Sequence, residues 1–290
     1  MTENMQQDIS DTNSAALPPT SVRPQEKKSL QQRLYPIILP FIVLSTALIL
    51  WDRTVVWNEV PHYIFPRPFD VVLTLIEDWS ILSGALLNTL TITVLALAVA
   101  VIGGVGLAIL FAQSRIIEYS FFPFAVILQV TPVVAIAPLI LIYVQNTILA
   151  LLVCAWIVAF FPVLSNTTFG LNSADHYLRD LFRLYGASNW QTLRFLRIPS
   201  ALPHFLSGLR IAGGLALIGA IVAEFTAGTA GTGSGLAFRI LEAGYRLHIA
   251  RMFAALLLIS GTGIAIFLIL SWVQHMLLRK WHESAVKREH

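Results

Sequence analysis

Charged residues are scarce in this chain: Asp, Glu, Lys and Arg make up 12% of its 290 residues, whereas hydrophobic residues make up 56%. This composition excludes an ordinary water-soluble domain and predicts an all-α membrane protein. Cysteine is nearly absent as well. Cys154 is the single one, so no disulfide can form within the chain, and its apolar neighbours favour a buried side chain.

The chain also lacks the motifs of common catalytic sites. It has no His-Glu-x-x-His metal motif and no Gly-x-Ser-x-Gly nucleophile turn, and its seven histidines are scattered. The glycine-rich run at 228–235 lacks the Lys-Ser or Lys-Thr of a Walker A loop, so it indicates an outer turn instead. We therefore expect no catalytic residue, no metal site and no cofactor bound by this chain itself.

Long apolar stretches make up most of the sequence. A membrane-spanning helix needs about 20 apolar residues. Six stretches come close to this length: 35–51, 86–112, 119–144, 147–165, 202–226 and 250–277. Residues 33–280 are therefore predicted to form one membrane domain. Residues 1–32 are polar and predict a disordered tail, and 281–290 predict a second, short tail.

Positive charges predict the orientation in the membrane. With the amino terminus inside, thirteen of the 19 Lys and Arg residues lie in inner segments and five lie in outer ones. Cytoplasmic segments carry an excess of these residues. We therefore expect both tails in the cytoplasm. The net charge of +3 follows from this orientation and does not indicate nucleic-acid binding.

A polar segment at 179–199, with four arginines, separates two of the predicted spans. Its leucines recur at helical spacing, Gly186 permits a chain reversal, and Ser188 with Gln191 predicts a capping box that opens a second helix. Pro199 is expected to end that helix. The residues alone leave two interpretations open: a docking surface for a soluble partner, or an amphipathic segment lying on the membrane.

The third predicted span contains three prolines and the sequence Gln129-Val-Thr-Pro132. Proline frees backbone carbonyls, which a membrane tolerates only where other helices or a water-filled cavity satisfy them. Gln129, Thr131 and Pro132 are therefore candidates to line a solute path. The alternative is a kink that only shapes helix packing, with Gln129 bonding across helices.

The fifth predicted span carries four glycines, at 208, 213, 214 and 219, and two charged residues, Arg210 and Glu224. Glycines at such spacing favour close helix packing, within or between subunits. Along a helix, Arg210 and Glu224 would lie about 21 Å apart, so each needs its own partner or a membrane edge. An acid inside a span indicates a functional site by default, which makes Glu224 the fourth path candidate.

Three parts of the sequence resemble a known family. Gly186, nine residues and then Leu196-x-Ile198-Pro199 resemble the cytoplasmic signature of ABC-importer permeases, Glu-Ala-Ala-x3-Gly-x9-Ile-x-Leu-Pro. Asp180 stands in place of the Glu, and two bulky residues replace the alanines. The Pro-x-Pro at 66–68 before an aliphatic helix, and the tract leading to Glu224, resemble the nitrate, sulfonate and taurine subfamily.

The resemblance implies a type I permease fold with about six spans, located in a bacterial inner membrane. It further implies a homodimer surrounded by lipid that imports a small polar solute such as nitrate, a sulfonate, taurine or a thiamine precursor. A soluble binding protein would deliver the solute, and a separate ATPase would bind ATP. The residues implied to dock the ATPase are Asp180, Leu184, Tyr185, Gly186, Ala187, Ser188, Trp190 and Pro199. Glu224 is implied to be a structural or gating acid.

An ion-gradient-driven secondary carrier is the alternative function. Such carriers are often built from inverted repeats with intramembrane charges in both halves. This chain shows no convincing internal repeat, and its interior charge candidates, Arg210 and Glu224, lie in one span. These features favour the importer subunit.

Overall fold

The computed structural model describes residues 30–228 and 234–279, and all regular secondary structure in these ranges is helical. The chain divides into two contact units, residues 1–50 and 51–290. Helix α1 (Leu30–Trp57) begins in the first unit. There the Thr46 hydroxyl donates a 2.8 Å hydrogen bond to the Ile42 carbonyl, which satisfies this polar group within its own helix.

The predicted tails fall largely outside the described residues. Of residues 1–32, only the last three are described, and they already belong to α1. Residues 281–290 and most of the glycine-rich run, 229–233, also lie outside.

The second unit contains ten further helices within the described ranges. In chain order they are α2 (Pro68–Glu77), α3 (Trp79–Gln113), α4 (Arg115–Val130), α5 (Val133–Tyr143), α6 (Thr147–Asn172), α7 (His176–Leu184), α8 (Asn189–Thr192), α9 (Ile198–Ala227), α10 (Leu236–Tyr245) and α11 (Ile249–Leu278). Five helical stretches are long and apolar enough to cross a membrane, and the bent pair α4 and α5 is a sixth when it is counted as one span. The six predicted spans correspond to α1, α3, α4 with α5, α6, α9 and α11.

The third span differs from the single helix predicted for 119–144. It consists of α4 and α5, whose axes are bent by 100° at Thr131 and Pro132. Thr131 has extended backbone angles because the residue before a proline is pushed out of the helical region. Pro132 is the N-cap residue before α5, where its missing N–H costs no helical hydrogen bond. The other two prolines of this span lie inside helices without breaking them.

The hydrophobic core lies where α6 packs along both α3 and α9. Its buried side chains are small or aliphatic with two phenylalanines, Phe111 and Phe160. Cys154 is fully buried in an adjoining cluster, as its apolar neighbours predicted.

Glycines bring α9 close to α6 and α11. A Cβ on Gly208 would lie 2.6 Å from the Cβ of Asn166, and one on Gly219 would lie 2.8 Å from the Cα of Ala155. A Cβ on Gly213 would overlap Leu270 of α11. These contacts support packing within the subunit as the reason for three of the four glycines. Gly214 has no neighbouring atom within 4 Å of that position.

Arg210 and Glu224 have separate partners, as their spacing along one helix required. The Arg210 guanidinium lies over the ring of Phe267, 5.5 Å from its centroid. This cation–π contact partly compensates for placing a charge in an apolar helix. The partners of Glu224 are described below.

Aromatic packing joins the last turns of α1 and the loop after it to α11, and an ion pair joins the α2–α3 junction to α11. Trp51 and Phe65 pack with Phe253 of α11, at centroid distances of 5.6 Å each. Arg251 of α11 makes a bidentate ion pair with Asp78, which includes a 3.0 Å bond from Nη2 to Oδ1. This geometry holds the beginning of α11 against the α2–α3 junction.

Candidate functional site

The polar segment forms the helix, turn and helix that its sequence predicted. Helix α7 begins after Asp175, whose side chain accepts a hydrogen bond from the Tyr177 N–H at 2.8 Å. Gly186 has a φ of +68°, a left-handed conformation that favours glycine. Ser188 and Gln191 form the predicted capping box at the start of α8. We call residues 179–199, which include most of α7, this turn and α8, the coupling segment.

The coupling segment exposes large apolar side chains. No residue of α7 is buried, and Leu184, Tyr185 and Trp190 are 85%, 83% and 59% exposed. Asp180 is also exposed and makes only a loose 3.7 Å ion pair with Arg183. Exposed aromatic residues grouped on a polar segment are typical of a protein-binding surface.

Pro199 does not end the second helix, and that prediction is wrong. A π-helical segment, Leu193–Arg197, follows α8 directly and leads into α9, where Pro199 occupies the first turn. The Ile198 N–H bonds to the Leu193 carbonyl five residues back, which widens the helix immediately before the proline ring. Since a proline in the first turn disrupts least, the helical path continues.

Arg197 anchors the coupling segment to the membrane bundle. Its Nη1 donates a 2.6 Å hydrogen bond to the Ala112 carbonyl, near the end of α3. A cation at a helix carboxyl terminus also interacts favourably with the helix dipole. Leu193 and Leu196 are buried beside it. This bond holds the start of α9 against the end of α3.

The three residues of the third span that are predicted to line a solute path lie at its bend. Gln129 is exposed, and its side chain makes no hydrogen bond within residues 30–228 and 234–279, so the structure does not show it bonding across helices. The Thr131 hydroxyl donates to the Ile127 carbonyl at 2.7 Å. Pro132 is exposed at the corner between α4 and α5.

Glu224 lies in a buried network near the end of α9. It is 2% exposed. Its Oε1 accepts a 2.7 Å hydrogen bond from the Thr89 hydroxyl of α3, and its Oε2 accepts a 3.0 Å bond from the Ala237 N–H. The Thr89 hydroxyl in turn accepts a 2.9 Å bond from the Leu236 N–H. One carboxyl and one hydroxyl thus satisfy two N–H groups at the start of α10.

Gly235 makes this network possible. A Cβ on this residue would overlap the Glu224 carboxyl carbon and both of its oxygens. The φ of Gly235 is −93°, which any residue adopts, so glycine is required here by space alone. Sequence reasoning identified Glu224 but missed Thr89 and Gly235. A threonine in an apolar span gives no local signal of a partner 135 residues away.

Charged residues of α10 pair with one another. Arg239 donates a 2.7 Å hydrogen bond to Glu242, which lowers the pKa of that carboxyl, and both are mostly buried. Arg246 is more exposed and lies 3.3 Å from the other oxygen of Glu242. These contacts give α10 a fixed charged face.

Helix α9 connects the two regions. Glu224 follows Pro199 by 25 residues on a nearly continuous helix, which corresponds to about 38 Å. The coupling segment and Arg197 lie at its beginning, whereas the carboxyl network that holds α10 lies at its end. A shift of α9 along its axis would therefore displace both regions together.

The fold is a multispan helical bundle whose polar segment forms an exposed helix, turn and helix. The family model described as "Binding-protein-dependent transport system inner membrane component" matches residues 100–283. The chain belongs to this family of ABC importer permeases, and it is an inner-membrane transport subunit. Its relatives include sulfonate, nitrate and taurine permeases, which confirms the predicted subfamily and supports the importer over a secondary carrier.

Individual relatives match over most of their length. A probable ABC transporter permease protein of Haemophilus influenzae is 31% identical over 239 residues, which cover 82% of this chain and 96% of that protein. The formylaminopyrimidine transport permease protein ThiX of Halalkalibacterium halodurans is 29% identical, with coverage of 85% and 97%. The crystal structure of an amino acid ABC transporter with histidines has a TM-score of 0.59 at 18% identity. It covers 72% of this chain and 97% of its own, which supports the fold.

The Thr89 hydroxyl is predicted to stabilise the protein. Thr89→Val keeps the shape of the side chain but leaves a buried carboxyl oxygen and the Leu236 N–H without their partner. We expect a loss of about 1–3 kcal/mol in unfolding free energy, measured as a lower melting temperature in detergent. Thr91→Val is the control because the Thr91 hydroxyl is exposed and bonds within its own helix. Equal melting temperatures for the two variants would contradict the network.

The lack of room for a side chain at Gly235 leads to a second prediction. Gly235→Ala should force the Glu224 carboxyl away from α10 and lower the melting temperature, at a cost of about 1–3 kcal/mol. Gly244→Ala, in the same helix, is the matched control because the nearest atom to its added Cβ would be 4.0 Å away. If both alanine variants melt at the temperature of the original protein, Gly235 does not hold the carboxyl in place.

Proposed function

We propose that the coupling segment is the site at which a separate ATPase docks on this permease. The residues that make the contact are Asp180, Leu184, Tyr185, Gly186, Ala187, Ser188 and Trp190, with Pro199 setting the start of α9. The exposure of Leu184, Tyr185 and Trp190 on a segment otherwise rich in charge is the observation that carries this proposal. Permeases of this family work with an ATPase and a solute-binding protein.

The proposal places the coupling segment and both chain ends in the cytoplasm. The excess of Lys and Arg in the corresponding segments supports this orientation. The beginning of α11, α2 and α10 then lie on the outer side, where the binding protein delivers its solute. The membrane domain comprises residues 33–280, and ATP stays on the partner, so this chain is a transport subunit without a cofactor or catalytic residue of its own.

Two copies of the chain form the solute path in this proposal. Closure of the ATPase pair on ATP pulls the coupling segments together, and α9 and α3 carry the motion outward. Because Glu224 fixes the start of α10 to the end of α9, α10 moves with it and changes access to the path. Glu224 thus acts through its helix contacts, and the broken third span at Gln129, Thr131 and Pro132 contributes to the lining.

The solute is a small polar molecule of the kind that related permeases carry. The relatives named above include importers of a formylaminopyrimidine and of sulfonates, nitrate and taurine. The formylaminopyrimidine relative, at 29% identity, matches more closely than the sulfonate relative, at 27%. A thiamine-precursor-like solute is therefore tested before a sulfonate.

The docking surface predicts a loss of partner binding without a loss of stability. The double variant Tyr185→Ala and Trp190→Ala removes two exposed aromatic side chains that pack against nothing essential to the fold. Since buried aromatic contacts at an interface each contribute about 2 kcal/mol or more, ATPase recovered with the purified permease should fall at least about tenfold.

The matched control for this measurement is Tyr245→Ala. Tyr245 is equally exposed, at 86%, but lies at the end of α10. It should leave ATPase recovery unchanged, and all variants should melt at the same temperature. Full ATPase recovery with the double variant would mean that the partner docks elsewhere.

A further inference from the structure

A polar groove opens between the start of α4 and the second half of α6. Its volume is about 450 Å³, and the residues that line it include Glu118, Ser165, Asn166, Thr168, Phe169 and Asn172. Five of these six come from α6, and Ser165, Thr168 and Asn172 recur at the spacing of one helix face. The groove therefore follows from the sequence of α6, which places polar residues on one side of an apolar span.

Some hydrogen-bonding groups at the groove have no partner among the described residues. The Thr168 hydroxyl is buried, and within the described residues it has no hydrogen-bond partner. The Asn166 amide nitrogen donates to the Pro162 carbonyl at 2.8 Å, which leaves the amide oxygen to face elsewhere. Glu118 makes no ion pair with the described part of the chain.

Such a surface cannot face lipid at low cost. Each unsatisfied polar group in hydrocarbon costs several kcal/mol, so polar faces of membrane helices turn toward water or protein. A second groove, between α3, α6 and α9, shows the contrast. It is lined by side chains such as Val101, Ile102, Ile109 and Phe205 and is almost wholly apolar. The apolar groove is thus suited to contact with lipid, whereas the polar groove is suited to contact with water or protein.

The polar groove also lies at the end of the bundle that carries the coupling segment. α4 begins there at Arg115, and α6 ends there at Asn172, four residues before α7 begins at His176. Motion of the coupling segment therefore acts directly on one wall of the groove. Phe169, on that wall, packs edge-on against His204 of α9 with ring centroids 4.9 Å apart.

The geometry points to this groove as the subunit's share of the inner mouth of the solute path, selective for neutral or cationic solutes over anions. This inference rests on the proposed function, because the groove can form an inner mouth only if the chain lines a solute path. Glu118 is the one charged residue among the described residues that line the groove. Amide and hydroxyl groups beside phenylalanine rings suit a planar nitrogen heterocycle, whereas a sulfonate would meet a carboxylate of like charge.

Thiol labelling in native membranes tests the groove directly. The chain has one cysteine, Cys154, and it is buried, so Cys154→Ala gives a cysteine-free background. Ser165→Cys is introduced into the polar groove and Ile102→Cys into the apolar one. Inverted membrane vesicles that contain the whole importer are treated with a cationic and an anionic methanethiosulfonate, and each rate is normalised to that of a free thiol in water.

We expect the cysteine at position 165 to react and the one at position 102 to stay unlabelled. The normalised rate with the cationic reagent should exceed that with the anionic reagent by about fivefold, because each reagent approaches the Glu118 carboxylate with opposite charge. Glu118→Gln should bring the two normalised rates together without reducing labelling.

Three outcomes would overturn the inference. Absence of labelling at position 165, or a disulfide between two copies at that position, would show that lipid or the partner copy covers the groove. Equal normalised rates that Glu118→Gln does not change would contradict selectivity for charge. ATPase recovered from the same vesicles is measured in parallel, so a failure here with the ATPase still bound leaves the docking proposal intact.

Discussion

The buried carboxyl of Glu224 is the contact on which the rest of the helix arrangement depends. A membrane interior offers no water, so an acid placed there must be satisfied by the protein. Here the carboxyl accepts from the Thr89 hydroxyl and from the Ala237 N–H, which joins α3, α9 and the start of α10 at one point. The absence of a side chain on Gly235 is the condition for that junction. Without the Thr89 hydroxyl the Leu236 N–H loses its partner in this network, and without the Glu224 carboxyl the Ala237 N–H loses its own.

The same helix that ends at this junction begins at the coupling segment. Arg197 fixes that beginning to α3 through the Ala112 carbonyl, and the Glu224 network fixes the other end to α3 through Thr89. α3 and α9 are therefore tied together twice, about 40 Å apart along α9. Two such ties favour movement of the pair as one body, which is what transmission of ATPase closure to the outer side of the membrane requires.

Sequence reasoning succeeded where the determining interactions are local. The spans follow from apolar length, and the capping box of Ser188 and Gln191 follows from residues three apart. It failed where geometry depends on a helix irregularity or on distant partners. Pro199 is predicted to end a helix, but the π-helical segment before it allows the helix to continue through the proline. The bend of 100° at Thr131 and Pro132 is larger than a proline kink predicts. Thr89 and Gly235 contact Glu224 only because α3, α9 and α10 pack together, and the sequence near each residue does not show that packing.

Photo-cross-linking in intact membranes tests the central claim most directly. A photoreactive amino acid replaces Tyr185 in one sample and Tyr245 in another, and the adducts are identified by mass spectrometry. The account predicts that position 185 forms adducts with the ATPase and that position 245 does not. Adducts of the ATPase at position 245, or its absence from the adducts at position 185 while the complex remains assembled, would contradict the assignment of the coupling segment.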